Sequence, residues 1–214
     1  MIKAVLFDFD GVIAESVNVK TEAFSKLYEE YGPETVEKVV EHHLTHCGVS
    51  RFEKIRHYHK QYLGKAIDED ELAEWCQRFS DLVLEAVISS PYVPGAVELM
   101  EDCQKKYSCF IISGTPQDEM ELIIARKGLQ EYFIEIHGSP RTKTEIAREI
   151  ISSHNLHPKE IIYLGDAMTD YDAAKEAGIN FIGRVPEGDR NVFPSDVFVI
   201  PDFRNLRILE AYTR

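Results

Sequence analysis

The apolar positions along the chain fall into two regimes. At the start, Ala4-Val5-Leu6-Phe7 runs without a polar break and stops in Asp8-Phe9-Asp10-Gly11-Val12. A short continuous apolar run of this kind predicts a strand buried on both faces of a parallel sheet. Between about 16 and 90 the apolar residues recur instead at helical spacing, with no convincing strand. Val19, Ala23 and Leu27 make one stripe, ended at Gly32-Pro33, and Val36, Val39, Val40 and Leu44 make a second, ended at Gly48. Ser50 followed by Glu53 has the spacing of a helix cap and opens a third helix through Ile55, Tyr58, Tyr62 and Leu63. A fourth, over about 70–88, carries Leu72, Trp75, Phe79, Leu82, Val83 and Val87 before Pro91, Pro94 and Gly95 break the pattern.

From Gly95 onward helix and strand patterns alternate. A helix through Val97, Leu99 and Met100 precedes an apolar strand over 109–114. A helix over about 120–125 precedes a short strand over 133–136, and a helix over 144–154 precedes the run Ile161-Ile162-Tyr163-Leu164-Gly165-Asp166. A helix over 171–177 closes on Gly178, and strands are expected over 181–183 and 197–200. Alternation of this kind means βαβ units and a parallel sheet with helices on both faces. The expected fold is a doubly wound α/β core, residues 1–15 and 91–214, interrupted after its first strand by a helical domain over 16–90.

In such a sheet the strand ends carrying Asp8 and Asp10, Ser113 and Gly114, and Asp166 lie on one edge, where open α/β sheets bind ligands. A buried carboxylate without a partner costs several kcal/mol, so the acids point to a divalent cation. With Lys143 as a candidate cation, the parts needed for phosphoryl transfer are assembled: carboxylates for a metal and for attack, and a hydroxyl, backbone N–H and ammonium for phosphate oxygens.

The net charge of −13 argues against a nucleic-acid surface or an anionic membrane as partner. It leaves room for a phosphorylated metabolite, because a metal and one or two cations reverse the field locally. Four scattered cysteines without a C-x-x-C pair point to a reducing, cytoplasmic setting rather than a disulfide framework or zinc site. No apolar run is long enough to span a membrane and no signal peptide is expected.

Asp8-Phe9-Asp10-Gly11-Val12, Ser113-Gly114-Thr115, Lys143 and Gly165-Asp166-Ala167-Met168-Thr169-Asp170 resemble, in order, the four motifs of the haloacid dehalogenase (HAD) superfamily. Within it, the chain is similar to the phosphatase and β-phosphoglucomutase branch, with a helical cap inserted after the first strand of a Rossmann-like core. Lysine in this branch is often followed by proline, whereas Thr144 follows here, which leaves Arg141 as a fallback for Lys143. The resemblance implies Asp8 as the nucleophile forming an aspartyl-phosphate and Asp10 as general acid and base. It also implies Mg²⁺ held by Asp8, Asp166 and the Asp10 carbonyl, with Asp170 in or beside that shell or orienting Lys143. Ser113, Gly114 and Lys143 would hold phosphoryl oxygens, with Gly11 and Thr115 lining the substrate site. Gly48-Val49-Ser50-Arg51 is similar to a cap stretch of β-phosphoglucomutases, which makes Arg51 a candidate substrate contact; Arg78 is a weaker one.

Each feature has a plainer alternative. Asp166 and Asp170 could cap the following helix, and Arg51 could be a solvated first-turn residue. His42 and His46 fall at a spacing that zinc uses but lack a third ligand, His57 and His59 cannot share a helix face, and Arg126, Arg148 and Arg184 read as surface charges. The expected activity is Mg²⁺-dependent hydrolysis of a small phosphorylated metabolite, of sugar phosphate or phosphoglycolate type. A phosphoglucomutase-like isomerase is the alternative enzyme, and an idle phosphoryl-binding, receiver-like module the non-enzyme one; the latter is disfavoured by the helical insert.

Overall fold

The computed structural model describes residues 1–205 and Arg207. In chain order, β1 (Ala4–Phe7) is followed by four helices, α1 (Val17–Leu27), α2 (Pro33–Thr45), α3 (Arg51–Tyr62) and α4 (Glu69–Ser89). Alternation then begins with α5 (Ala96–Gln104), β2 (Ser108–Pro116), α6 (Gln117–Lys127), β3 (Glu135–Ser139), α7 (Lys143–Ser153) and β4 (Ile161–Gly165). It ends with α8 (Met168–Ala177), β5 (Asn180–Arg184) and the two-residue β6 (Val199–Ile200).

The sheet is parallel throughout, in the order β3-β2-β1-β4-β5-β6. β1 is central, and its last residue, Phe7, is level with Ile111 on β2 and Leu164 on β4. Successive side chains of a strand point to opposite faces, so Ala4 and Leu6 join Ile146 and Ile150 of α7 and Ala173 of α8. Val5 and Phe7 join Met100 of α5 and Met120, Ile123 and Ile124 of α6. Both faces of β1 are therefore covered, which is why its sequence is apolar at every position.

The helices between β1 and α5 pack on one another through aromatic side chains. Phe24 of α1 lies 4.3 Å from Phe79 of α4, and Tyr28 lies 5.0 Å from Trp75. Ser50 caps α3 by accepting the Glu53 N–H, as its spacing predicts, and Asp68 caps α4 by accepting that of Glu71.

Several boundaries differ from the sequence expectations. Leu44 is exposed, and His43 takes the inward position one turn beyond Val39. β3 lies later than 133–136, because Phe133 leaves the strand line to pack edge-on against Phe7 at 5.7 Å. β6 is shorter than 197–200, because the Val197 N–H closes a turn onto Pro194. α7 begins at Lys143 because Thr142 and Glu145 form a reciprocal capping box. α8 begins before Tyr171, which puts Asp170 in its first turn.

Candidate active site

Asp8 follows the last residue of β1, and its N–H donates to Leu164 O of β4 at 3.0 Å. The residue is 3% exposed. Lys143 Nζ, on the first turn of α7, lies 3.0 Å from Asp8 Oδ2 and 2.6 Å from Asp170 Oδ1. Asp8 Oδ1 is buried with no hydrogen-bond partner. Asp166 comes from the end of β4, and the carboxylates of Asp8, Asp166 and Asp170 gather within 4.8 Å of one another.

Three acids this close repel. Burial first, then the charge of Asp170, push the Asp8 carboxyl up to about 7, against the opposing pull of Lys143. Burial and the Asp8 charge raise Asp166 well above the carboxylate range. Burial alone would lower Lys143, yet Asp170 and Asp8 together hold it above its ordinary value, so it is charged. A hard dication fits this set. It takes oxygen donors, it would relieve the repulsion, and Asp8 Oδ1 and Asp166 have capacity to receive it. Asp170 is differently placed, since it already accepts from Lys143 Nζ, from Tyr163 Oη at 2.8 Å and from the Ala167 N–H at 3.1 Å.

The turn after β1 is shaped to admit Asp166. Gly11 has φ +74°, and a Cβ there would fall 2.1 Å from Asp166 Oδ2, so a side chain would displace the acid. Arg184, expected as a surface charge, is instead 6% exposed. Its guanidinium donates to Gly11 O at 3.0 Å and to both Glu15 oxygens, and so ties down that turn. Arg126 and Arg148 are exposed, paired with Glu85 and Glu176, as surface charges would be.

Asp10 belongs to a separate set of partners. Its Oδ1 accepts from Ser16 Oγ at 2.5 Å, and its Oδ2 accepts from Lys20 Nζ. The same ammonium donates to Thr115 Oγ1 at 2.8 Å. Burial pushes the Asp10 carboxyl up, but the Lys20 charge and these hydrogen bonds outweigh it and hold Asp10 below the usual carboxylate range. Of two acids separated by one residue, one is raised and the other lowered.

At the end of β2, Ser113 Oγ accepts the Thr115 N–H at 3.1 Å, while Gly114 and Thr115 line the cavity over Asp8. That cavity, about 50 Å³, is also lined by Asp10, Lys20, Arg51, Lys54, Lys143 and Asp166. Gly48, in the loop before α3, closes over it. A Cβ on Gly48 would fall 2.0 Å from Thr169 Oγ1, and one on Gly114 would fall 2.7 Å from Gly48 O. Arg51 lines the cavity, but its guanidinium engages both carboxylate oxygens of Glu119 on α6, reaches Ser80 Oγ at 2.5 Å and lies over Phe79.

Arg141 lies away from the acids, paired with Glu149 and donating to His137, so Lys143 is the cation at the carboxylates. Arg78 is exposed and stacks over Trp75. His42 stacks on His46 at 3.9 Å and on His57 at 4.2 Å. Among the described residues, the side chains close enough to share an ion are Asp8, Asp166 and Asp170, with no histidine among them. Lys20, His43 and Lys54 line the cavity without having been singled out from sequence. Their signal was available: Lys20 stands four residues before Phe24, His43 four after Val39, and Lys54 four before Tyr58, each continuing a buried stripe.

A family model for haloacid dehalogenase-like hydrolases matches residues 5–184. A phosphorylated carbohydrates phosphatase from Thermotoga maritima is 27% identical over 195 residues, which is 85% of this chain and 84% of that protein. A phosphoglycolate phosphatase from Synechococcus elongatus is 19% identical over 183 residues, covering 83% and 81%. Among solved structures, β-phosphoglucomutase from Clostridium difficile superimposes with a TM-score of 0.78 at 19% identity, over 99% of this chain and 96% of the other, a likeness of fold. With the acidic ends of β1 and β4 and Lys143 converging as described, the match over residues 5–184 shows that this chain belongs to the haloacid dehalogenase-like hydrolase family.

Proposed function

We propose that the chain is a Mg²⁺-dependent phosphatase of a small phosphorylated metabolite, acting through an aspartyl-phosphate on Asp8. The observation that carries this reading is the contrast between Asp8 and Asp10. Asp8 is held by Lys143 on one oxygen and has its other oxygen unpartnered. Asp10 is bound on both oxygens by hydroxyl and ammonium donors. The relatives named as phosphatases of phosphorylated carbohydrates and of phosphoglycolate support the substrate class.

In this reading the Asp8 carboxylate attacks phosphorus in line and the P–O bond to the leaving alcohol breaks. Asp10, which Lys20 holds ionised in the free enzyme, takes up a proton as substrate binds, delivers it to that alcohol, then takes one from the water that cleaves the aspartyl-phosphate. Lys143, Gly114 and Ser113 neutralise and orient the phosphoryl oxygens. Mg²⁺, held by Asp8, Asp166 and the Asp10 carbonyl, would supply charge stabilisation at those oxygens. Asp170 keeps Lys143 in place through its 2.6 Å contact. Residues 16–90 serve as the cap that closes over the substrate and excludes bulk water.

The test is a panel of phosphate monoesters with purified protein, with and without exhaustive chelation. Released phosphate that depends on Mg²⁺, and its loss in Asp8→Asn, is the expected result. Turnover by Asp8→Asn near the wild-type rate would refute the covalent route. Conversion of β-glucose 1-phosphate to glucose 6-phosphate without free phosphate, read by ³¹P NMR, would replace hydrolysis with isomerisation.

A further inference from the structure

Of the cations lining the cavity, Arg51 has the shape that suits a second phosphate, since a guanidinium offers a planar fork of N–H donors. That fork is already filled. Nη1 and Nη2 both donate to the Glu119 carboxylate, and Nη1 also donates to Ser80 Oγ at 2.5 Å. Ser80 spends its own proton on Cys76 O at 3.1 Å, so its oxygen is free to accept from Arg51. The guanidinium carbon lies 4.7 Å from the centre of the Phe79 ring, which closes one of its faces. The Arg51 and Glu119 side chains are 4% and 10% exposed.

The pair joins the inserted helices to the sheet domain. Arg51 opens α3, directly after the Gly48 loop. Glu119 stands in the first turn of α6, which begins just past the β2 end that carries Ser113 and Gly114. The positive end of the helix dipole favours a carboxylate at that position. A phosphate takes the fork only by turning Glu119 out. That would leave a buried carboxylate without its partner and next to a second anion, and both cost free energy.

We infer that Glu119 sets specificity at the far end of the substrate: it occupies the fork of Arg51, so the cavity accepts a monophosphate ester and rejects one that carries a second phosphate at its far end. The inference rests on the phosphatase reading, which puts the scissile phosphate at Asp8. Rejection here comes from a repulsive group built into the site rather than from a missing contact. It also bears on hydrolysis against isomerisation. Passing a phosphoryl group through Asp8 from one hydroxyl of a sugar to another goes by way of a bisphosphate, and Glu119 stands against binding one.

Asp8→Asn protein with Mg²⁺ is titrated calorimetrically with fructose 6-phosphate and fructose 1,6-bisphosphate, so that binding is read without turnover. The bisphosphate should bind no more tightly than the monophosphate. Adding Glu119→Gln, which keeps the shape of the side chain and removes its charge, should raise affinity for the bisphosphate relative to the monophosphate ten-fold or more. Glu119→Gln together with Arg51→Met should return that ratio to its starting value. A ten-fold preference for the bisphosphate with Glu119 in place would overturn the inference, and so would a ratio unmoved by Glu119→Gln. The first of these is read on protein that retains Glu119, so it decides the matter even where Glu119→Gln fails to fold. Wild-type hydrolysis of p-nitrophenyl phosphate is measured in parallel. Its absence would defeat the phosphatase reading, while the affinity ratios still decide the role of Glu119.

Discussion

Lys20 Nζ, on the first helix of the inserted segment, donates to Asp10 Oδ2 just past the first strand of the sheet. The charge state of Asp10 is therefore set by an element that lies outside the sheet. Replacing Lys20 by Met removes the main influence that holds Asp10 below the usual carboxylate range. The Asp10 carboxyl should then titrate at higher pH, read by ¹³C NMR of labelled aspartate. Turnover should fall by about 10²-fold, since acid–base help typically contributes 10² to 10⁴. An unmoved titration would show that Lys20 leaves Asp10 alone.

The acid cluster predicts how metal and pH act on stability. Without metal, folded Asp8 keeps its proton up to about pH 7, whereas the unfolded chain releases it near 3.8. The folded state binds more protons across that window, so this contribution to stability falls as pH rises from about 4 through about 7. Asp166 shifts in the same direction. Mg²⁺ binds the ionised acids, so the rise in Tm that it causes should be larger at pH 8 than at pH 5. At a hundred times its dissociation constant the gain is about 2.7 kcal/mol, or roughly 5–11 °C for a chain of this size. A Tm shift that is flat with pH would dissociate the metal from these carboxylates.

Arg51 and Glu119 form a buried pair between α3 and α6, with side chains 4% and 10% exposed. Arg51→Met should leave the Glu119 charge stranded and cost about 3–5 kcal/mol, or roughly 6–20 °C in Tm. Arg51→Met combined with Glu119→Gln should recover most of that loss, read by thermal melting. Failure of the double variant to recover would mean that Arg51 acts through Phe79 and Ser80 packing instead.

Gly11→Ala tests the close approach of the turn to Asp166, whose Oδ2 would meet the new Cβ. Affinity for Mg²⁺, measured by calorimetry, should fall by about ten-fold or more, as it does when the groups that orient a metal ligand are disturbed. Wild-type affinity would mean that the turn shifts without moving the acid.

The sheet and its acidic edge were legible because β1 and β4 must be covered on both faces and so read as unbroken apolar runs that stop abruptly in aspartate. The inward-facing cations of the inserted helices were not. Lys20, Lys54 and His43 occupy positions that helical periodicity assigns to apolar residues, and counting apolar residues alone passes over them. Leu44 shows the same error from the other side: it was counted into the stripe of α2, yet it is exposed, and His43 beside it is buried. Arg184 was misplaced because its partners, Gly11 O and Glu15, lie more than 160 residues away in sequence, and local pattern carries nothing of that pairing.

The loop at Gly48 bears on traffic through the cavity. It is seated between Gly114 and Thr169, and the hydrogen bond beside it, from Thr169 Oγ1 to Cys47 O, is a long one at 3.3 Å. If ligand exchange above Asp8 requires this seat to open, the contacts that break are those around Gly48. The latch joins the backbones of Gly48 and Gly114 and the neutral hydroxyl of Thr169, so it holds without any charge of its own. Its dwell time should therefore be insensitive to salt, and the exchange of ligand should answer to temperature and solvent viscosity instead.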